Sequence, residues 1–131
     1  MRLTIFILST ALLLPSISLA SKWNDYQTIA DVNGMELSYH YREQKDGWFI
    51  EWRASNNGSE WGQPVSKSRT YTCGDGKQVK IDKAGNFGPL PPGENRKMIR
   101  DQGICLGGTI GKAEIDVEVK EVSDKVQKMY K

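Results

Sequence analysis

Trp48-Phe49-Ile50-Glu51-Trp52-Arg53-Ala54 is the stretch that decides how this chain folds. Apolar and polar side chains alternate along it. In an extended strand Trp48, Ile50, Trp52 and Ala54 fall on one side, and Phe49, Glu51 and Arg53 on the other. A run this apolar that still alternates predicts a central strand with one face in a core. Immediately before it, Asp46-Gly47 marks a tight turn. Upstream of that turn Met35, Leu37, Tyr39 and Tyr41 alternate with Glu36, Ser38, His40 and Arg42, a half-buried strand with its aromatic side inward. Asn33-Gly34 is the strongest short hairpin signal, because both positions tolerate positive φ. It joins that strand to a first one over residues 26–32, and three strands linked by two short turns make an antiparallel meander.

Downstream, residues 56–60 (Asn-Asn-Gly-Ser-Glu) form a polar loop. A strand over about residues 65–73 follows, in which Val65, Lys67, Arg69 and Cys73 alternate imperfectly, and Pro64 restricts its entry. Gly74-Asp75-Gly76 turns the chain into Val79 and Ile81 at strand spacing. Residues 84–94 hold Gly85, Gly88, Pro89, Pro91, Pro92 and Gly93, a composition that suits a crossing between two sheets. A short strand over 96–101 and the flexible Gly107-Gly108-Thr109-Ile110-Gly111 lead to residues 114–122, where Ile115, Val117 and Val119 alternate with charged residues. Ser123 is a capping residue for Val126 and Met129 or Tyr130 at helical spacing, a docked stub or a frayed tail.

About seven short strands and no long helix predict an all-β, antiparallel β-sandwich over residues 21–122 with a tail at 123–131. An immunoglobulin-like arrangement is favoured over a closed barrel. Trp52 suits the core of such a domain, and Leu90-Pro91-Pro92-Gly93-Glu94 resembles the turn before a strand in many bacterial immunoglobulin-like modules. The cysteine, tryptophan, cysteine order of antibody domains is absent, since Trp52 precedes both cysteines.

Residues 1–20 read as a secretory signal peptide: Arg2 begins it, residues 3–14 are almost wholly apolar, and Ser18-Leu19-Ala20 ends it. The apolar run is short for a membrane span. The expected mature chain starts near Ser21, is exported to the periplasm or beyond, and has no membrane insertion. Its loss of Arg2 lowers the formal charge from +2 to about +1. Near-neutral charge with no block of like residues argues against a nucleic-acid partner, which needs a basic face. Export makes a disulfide the expected state of Cys73 and Cys105. The 32-residue loop so closed is worth roughly 3.7 kcal/mol in the chain-entropy model. A reactive thiol is the alternative, and it has no histidine nearby in sequence.

Few residues suggest chemistry. His40 is expected on the solvated face of its strand, with Glu36 and Arg42 as same-face neighbours and no nucleophile in a recognisable motif, so no catalytic residues and no enzyme activity are predicted. One histidine and two oxidised cysteines do not make a zinc site, Asp75-Gly76 lacks calcium ligands, and the glycines at 107, 108 and 111 lack the Lys-Ser or Lys-Thr of a phosphate loop. No metal and no cofactor is expected.

Binding is the stronger class. Trp61 lies beside Asn56, Asn57 and Glu60, where alternation does not enforce burial. It either stacks on a sugar ring or a protein partner, or folds over one end of the core. Phe49 is the second candidate, outside a sandwich unless covered, with the tail at Val126 and Tyr130 as a possible cover. Tyr71-Thr72-Cys73-Gly74-Asp75-Gly76-Lys77-Gln78-Val79 resembles the opening of the periplasmic inhibitors of C-type lysozyme. That resemblance ends at Val79: no Ser-Gly loop followed by a tyrosine and a Trp-x-Lys-Gly run comes after it, so no inhibitory residue carries over. The expected function is a non-catalytic binding or accessory module recognising a protein or glycan through loops 56–61 and 86–94. The alternative is an inhibitor of a secreted hydrolase, such as lysozyme or a protease.

Overall fold

A computed structural model describes residues 22–130, so the predicted signal peptide lies outside the described residues. Eight strands and one short helix follow in order: β1 (Gln27–Val32), β2 (Met35–Gln44), β3 (Gly47–Asn56), β4 (Gln63–Cys73), β5 (Gln78–Ile81), β6 (Gly85–Asn86), β7 (Asn95–Ile104), β8 (Ile110–Lys120) and α1 (Asp124–Met129). All strand pairings are antiparallel. One sheet runs β1-β2-β3-β7. In the other, Arg69 of β4 pairs with Ile81 of β5 and Ile115 of β8, which puts β8 on one edge of β4 and β5 with the two-residue β6 on the other. The predicted all-β sandwich stands, with eight strands rather than about seven. The order inside it is its own: β1, β2 and β3 stay side by side in one sheet, whereas the second and third strands of an immunoglobulin domain lie in different sheets.

The meander forms as its turns predict. Asn33 and Gly34 have φ of 53° and 82°, the pair of positive angles that a type I′ hairpin turn requires. Gly47, at φ 118°, has no room for a side chain, since an added Cβ would sit 2.9 Å from the Gly103 carbonyl carbon.

Leu37, Tyr39, Ile50, Trp52 and Ala54 of the first sheet meet Tyr71, Cys73 and Ala113 of the second in one buried cluster. Phe87 and Leu90 are fully buried as well. They come from the Pro- and Gly-rich crossing, which therefore supplies core as well as connection. Trp48, expected in the interior, is only half-buried and donates from Nε1 to the Gly108 carbonyl at 2.8 Å.

The imperfect alternation of β4 has a physical cause. Its pairing with β8 shifts register between Ser66 and Ser68, so a bulge moves the inward positions from Pro64 and Ser66 to Arg69, Tyr71 and Cys73. A second irregularity on β7, opposite Trp52 and Arg53, places Met98 outside while Ile99 and Asp101 point in. These two shifts carry Arg69 and Asp101 into the interior, where Nε and Nη2 of the guanidinium donate to the carboxylate at 3.0 and 2.7 Å. The Tyr71 hydroxyl donates to the same carboxylate and receives the Trp52 Nε1–H at 2.8 Å. Arg69 Nη1 closes the network on the Lys83 carbonyl at 2.6 Å. Burial alone would lower the Arg69 pKa, but the hydrogen bonds and charge of Asp101 outweigh it and hold the guanidinium above its ordinary value. Burial and the same carboxylate push the Tyr71 hydroxyl far up. Cys73 and Cys105 are joined, stapling the end of β4 to the residue after β7, and so one sheet to the other.

Candidate functional site

The two loops predicted to form a recognition surface do meet at one end of the sandwich, and Asn56 is what joins them. Its backbone N–H donates to the Glu94 carbonyl at 2.9 Å and its carbonyl accepts from Gly93 at 2.8 Å. Its side-chain Nδ2 donates to the carbonyls of Glu60 and Leu90 at 2.8 and 2.9 Å, and its Oδ1 accepts from Gly58. Every polar atom of Asn56 is thus used inside the protein and the residue is buried, which makes it the fastener of the surface rather than a contact on it. Asn57 and Glu60 are exposed.

Trp61 is neither buried nor free. It is half-exposed and stands between two open clefts. The first, about 370 Å³, is bounded by Asn33, Met35, Ser59 and Lys120. The second, about 420 Å³, is bounded by Glu60, Glu121, Asp124 and Gln127. The tail therefore folds beside Trp61. Ser123 caps α1 by accepting from Val126 N–H at 3.2 Å, and Gln127 Nε2 donates to the Val122 carbonyl at 3.0 Å.

Phe49 is half-buried, and what approaches it is not that tail. Trp23 lies 5.3 Å away between ring centroids, and the Arg42 guanidinium carbon is 5.5 Å from the Phe49 ring centre. The segment before β1 continues along the β1 edge of β2, where Asn24 N–H donates to the Tyr41 carbonyl at 3.0 Å and Asn24 Oδ1 accepts the Tyr41 N–H at 2.6 Å, and its side chains reach over the outer face of the first sheet. From there Trp23 and Tyr26 close on His40, each with centroids 3.9 Å apart and planes within 13° of parallel. Two rings at that distance fit only on opposite faces of the imidazole. Arg53 covers Tyr26 at 3.8 Å and Arg42 lies over Trp23 at 4.9 Å. The outer face thus carries a five-layer stack of guanidinium, phenol, imidazole, indole and guanidinium.

The expectation of a solvated His40 is corrected here: the residue is buried, because its strand's outer face has a roof. Its Nε2 lies 2.8 Å from Glu51 Oε1, and Arg100 Nε donates to Glu51 Oε2 at 2.8 Å. Burial by itself would raise the Glu51 pKa, but hydrogen bonds from His40 and Arg100 win and hold the carboxyl below its ordinary value. Burial first, and the Glu51 charge second, push the Tyr26 hydroxyl up to about 12. With one nitrogen on Glu51 and both ring faces covered, the imidazole serves as a spacer in the stack. The orienting carboxylate that His40 lacks along its own strand is across from it. A turn that pairs Gln44 with Gly47 fixes Arg42 opposite Phe49, His40 opposite Glu51 and Ser38 opposite Arg53, and that signal is present in the sequence. Trp23 and Tyr26 carry no such signal, since nothing local says where an irregular segment lies.

Tyr71 and Cys73, which carry the resemblance to lysozyme inhibitors, are interior residues engaged with Asp101 and Cys105. Among the described residues no group of histidine, cysteine and carboxylate side chains is arranged to hold a metal ion, and no helix is long and apolar enough to cross a membrane. No protein-family model, curated protein or solved structure matches this chain.

Proposed function

We propose that this protein is an exported, non-catalytic binding module, periplasmic or extracellular, that recognises a glycan or a protein through the end surface centred on Trp61. The observation that carries the reading is the half-exposed indole between two clefts whose rims supply hydrogen-bonding side chains. A flat apolar ring flanked by amide, hydroxyl, carboxylate and ammonium groups is the combination that binds a pyranose face while satisfying its hydroxyls. The loop is rigid where it matters: Asn56 fixes its base, so little ordering entropy remains to be lost on binding. Immobilised protein, incubated with native envelope material, tests this. Wild type retains a saccharide or protein ligand and Trp61→Ala releases it with an unchanged thermal midpoint. Equal retention by both would overturn the Trp61 surface.

The second reading, an inhibitor of a secreted hydrolase, has support of a different kind. Leu106 is 71% exposed on the loop after the disulfide. That loop is braced by the Cys73 link, by Gly108 N–H on the Cys105 carbonyl at 3.0 Å and by Trp48 Nε1 on the Gly108 carbonyl. A braced apolar knob suits insertion into a cleft. Inhibition of a lysozyme or protease that disappears in Leu106→Ser and persists in Trp61→Ala would favour it over the first reading.

A further inference from the structure

We infer that the outer face of β2, β3 and β7 is a second binding site, for an anionic polysaccharide. Strand pairing gathers there what the sequence disperses. Arg53 stands directly opposite Lys97, Glu51 opposite Arg100, and Arg42 on the far side of the His40 row opposite Phe49. Successive rows on one face are about 6.8 Å apart and neighbouring strands about 4.8 Å, so the four cations form a short lattice rather than a point. Glu51 is the carboxylate within this lattice, and it is engaged by His40 and Arg100. Glu36 lies beyond the Ser38 row, opposite Ser55. Arg42, Arg53 and Lys97 have no ion-pair partner among the described residues.

The two arginines are also pre-positioned. The Arg53 guanidinium carbon lies 3.8 Å from the centre of the Tyr26 ring, and that of Arg42 lies 4.9 and 5.5 Å from those of Trp23 and Phe49, contacts that remove part of the rotamer freedom an arginine loses on binding. A guanidinium without a carboxylate partner keeps N–H groups for an oxyanion, and a sulfate or carboxylate group takes two parallel N–H bonds from one such fork. Several anchored charges on a broad sheet face match a ligand with several linked anionic groups better than one small ion. Single-stranded nucleic acid fits less well, because its bases need free aromatic faces to stack on. Here His40 and the guanidiniums already occupy the faces of Trp23 and Tyr26.

This site is independent of the Trp61 surface, and heparin serves as the probe. Calorimetric titration of the full mature protein should show binding that neutral dextran does not reproduce. The double substitution Arg53→Gln with Lys97→Gln should weaken it by roughly tenfold or more, the loss of two charge-assisted contacts. Removing two cations elsewhere, Lys80→Gln with Lys125→Gln, should leave it unchanged, as should Trp61→Ala. If the Arg53 variant unfolds, Lys97→Gln alone, on an exposed residue, carries the test with a smaller but measurable loss. Absence of heparin binding overturns the site, and so does an equal loss from both double variants. Tighter binding of single-stranded DNA or of phosphatidylglycerol vesicles through Arg53 and Lys97 overturns the polysaccharide assignment.

Discussion

The first sheet has an ion network on each of its faces, built from the same parts and put to opposite uses. On the inner side Arg69, Asp101, Tyr71 and Trp52 join the two sheets, with both carboxylate oxygens and the indole and phenol donors engaged. On the outer side Glu51 binds His40 and Arg100 under a roof of Trp23 and Tyr26, and three further cations surround it without carboxylates of their own. Inside, cation and anion are matched one to one, because an unpaired buried charge costs several kcal/mol. Outside, the surplus cations of Arg42 and Arg53 lie against aromatic rings instead of carboxylates, with Nε of each buried and without a hydrogen-bond partner. The contrast distinguishes a network that holds the fold from one that the fold holds up to solvent.

The largest expected effect breaks the inner network. Asp101→Ala leaves the Arg69 guanidinium buried without its partner and should cost about 3–5 kcal/mol, read as a lower urea midpoint. Arg69→Met with Asp101→Leu, which removes both charges, should recover much of that loss. If the single and double variants are equally unstable, the cost lies in packing rather than in an orphaned charge.

Why this network escapes the sequence, while the meander beside it does not, is a matter of register. From Asn33 to Ala54 the turns are short and the strand alternation is unbroken, so each side chain's face follows from counting. Arg69 and Asp101 lie beyond bulges, and one extra residue reverses which side chains point inward. Counting from Val65 puts Arg69 on the same face as Val65 and Lys67, whereas the bulge sends it to the core. Phe87 and Leu90 are hidden for a related reason: glycine and proline mark a segment as irregular, but irregular backbone still packs where it crosses the end of a sandwich. At the candidate sites, the neighbourhood of Trp61 with loop 86–94 is legible, and so in principle is His40 opposite Glu51. The roof of Trp23 and Tyr26 is not, since it rests on contacts between an irregular segment and a distant face.

A smaller effect tests the outer carboxylate. The folded pKa of Glu51 is depressed below 4.5, so its contribution to stability is fully present above the unfolded value and is lost as the pH falls through the folded one. Glu51→Gln should therefore destabilise the protein at pH 7 by about 1.5–3 kcal/mol, the range for hydrogen bonds to a charged group. The difference between the two proteins should shrink as the pH drops below 4.5. A gap in urea midpoint that stays constant from pH 7 to pH 3 would mean that the carboxylate's charge contributes nothing to holding His40 and Arg100.

The smallest effect sharpens the comparison most. Arg42 and Arg53 cap the stack from its two ends with Nε of each buried, and a cation over a ring is worth from about 0.5 kcal/mol when exposed to about 2 kcal/mol when desolvated. Arg42→Ala and Arg53→Ala should each lower stability by no more than that, against the several kcal/mol expected at Asp101. Two arginines that contribute so little to the fold, yet are held beside aromatic rings and free of carboxylates, have their charge available for a ligand. If either substitution instead costs as much as Asp101→Ala, the outer stack is a structural network like the inner one. Its cations would then be committed to the fold, and the surface that distinguishes the two faces of this sheet would disappear.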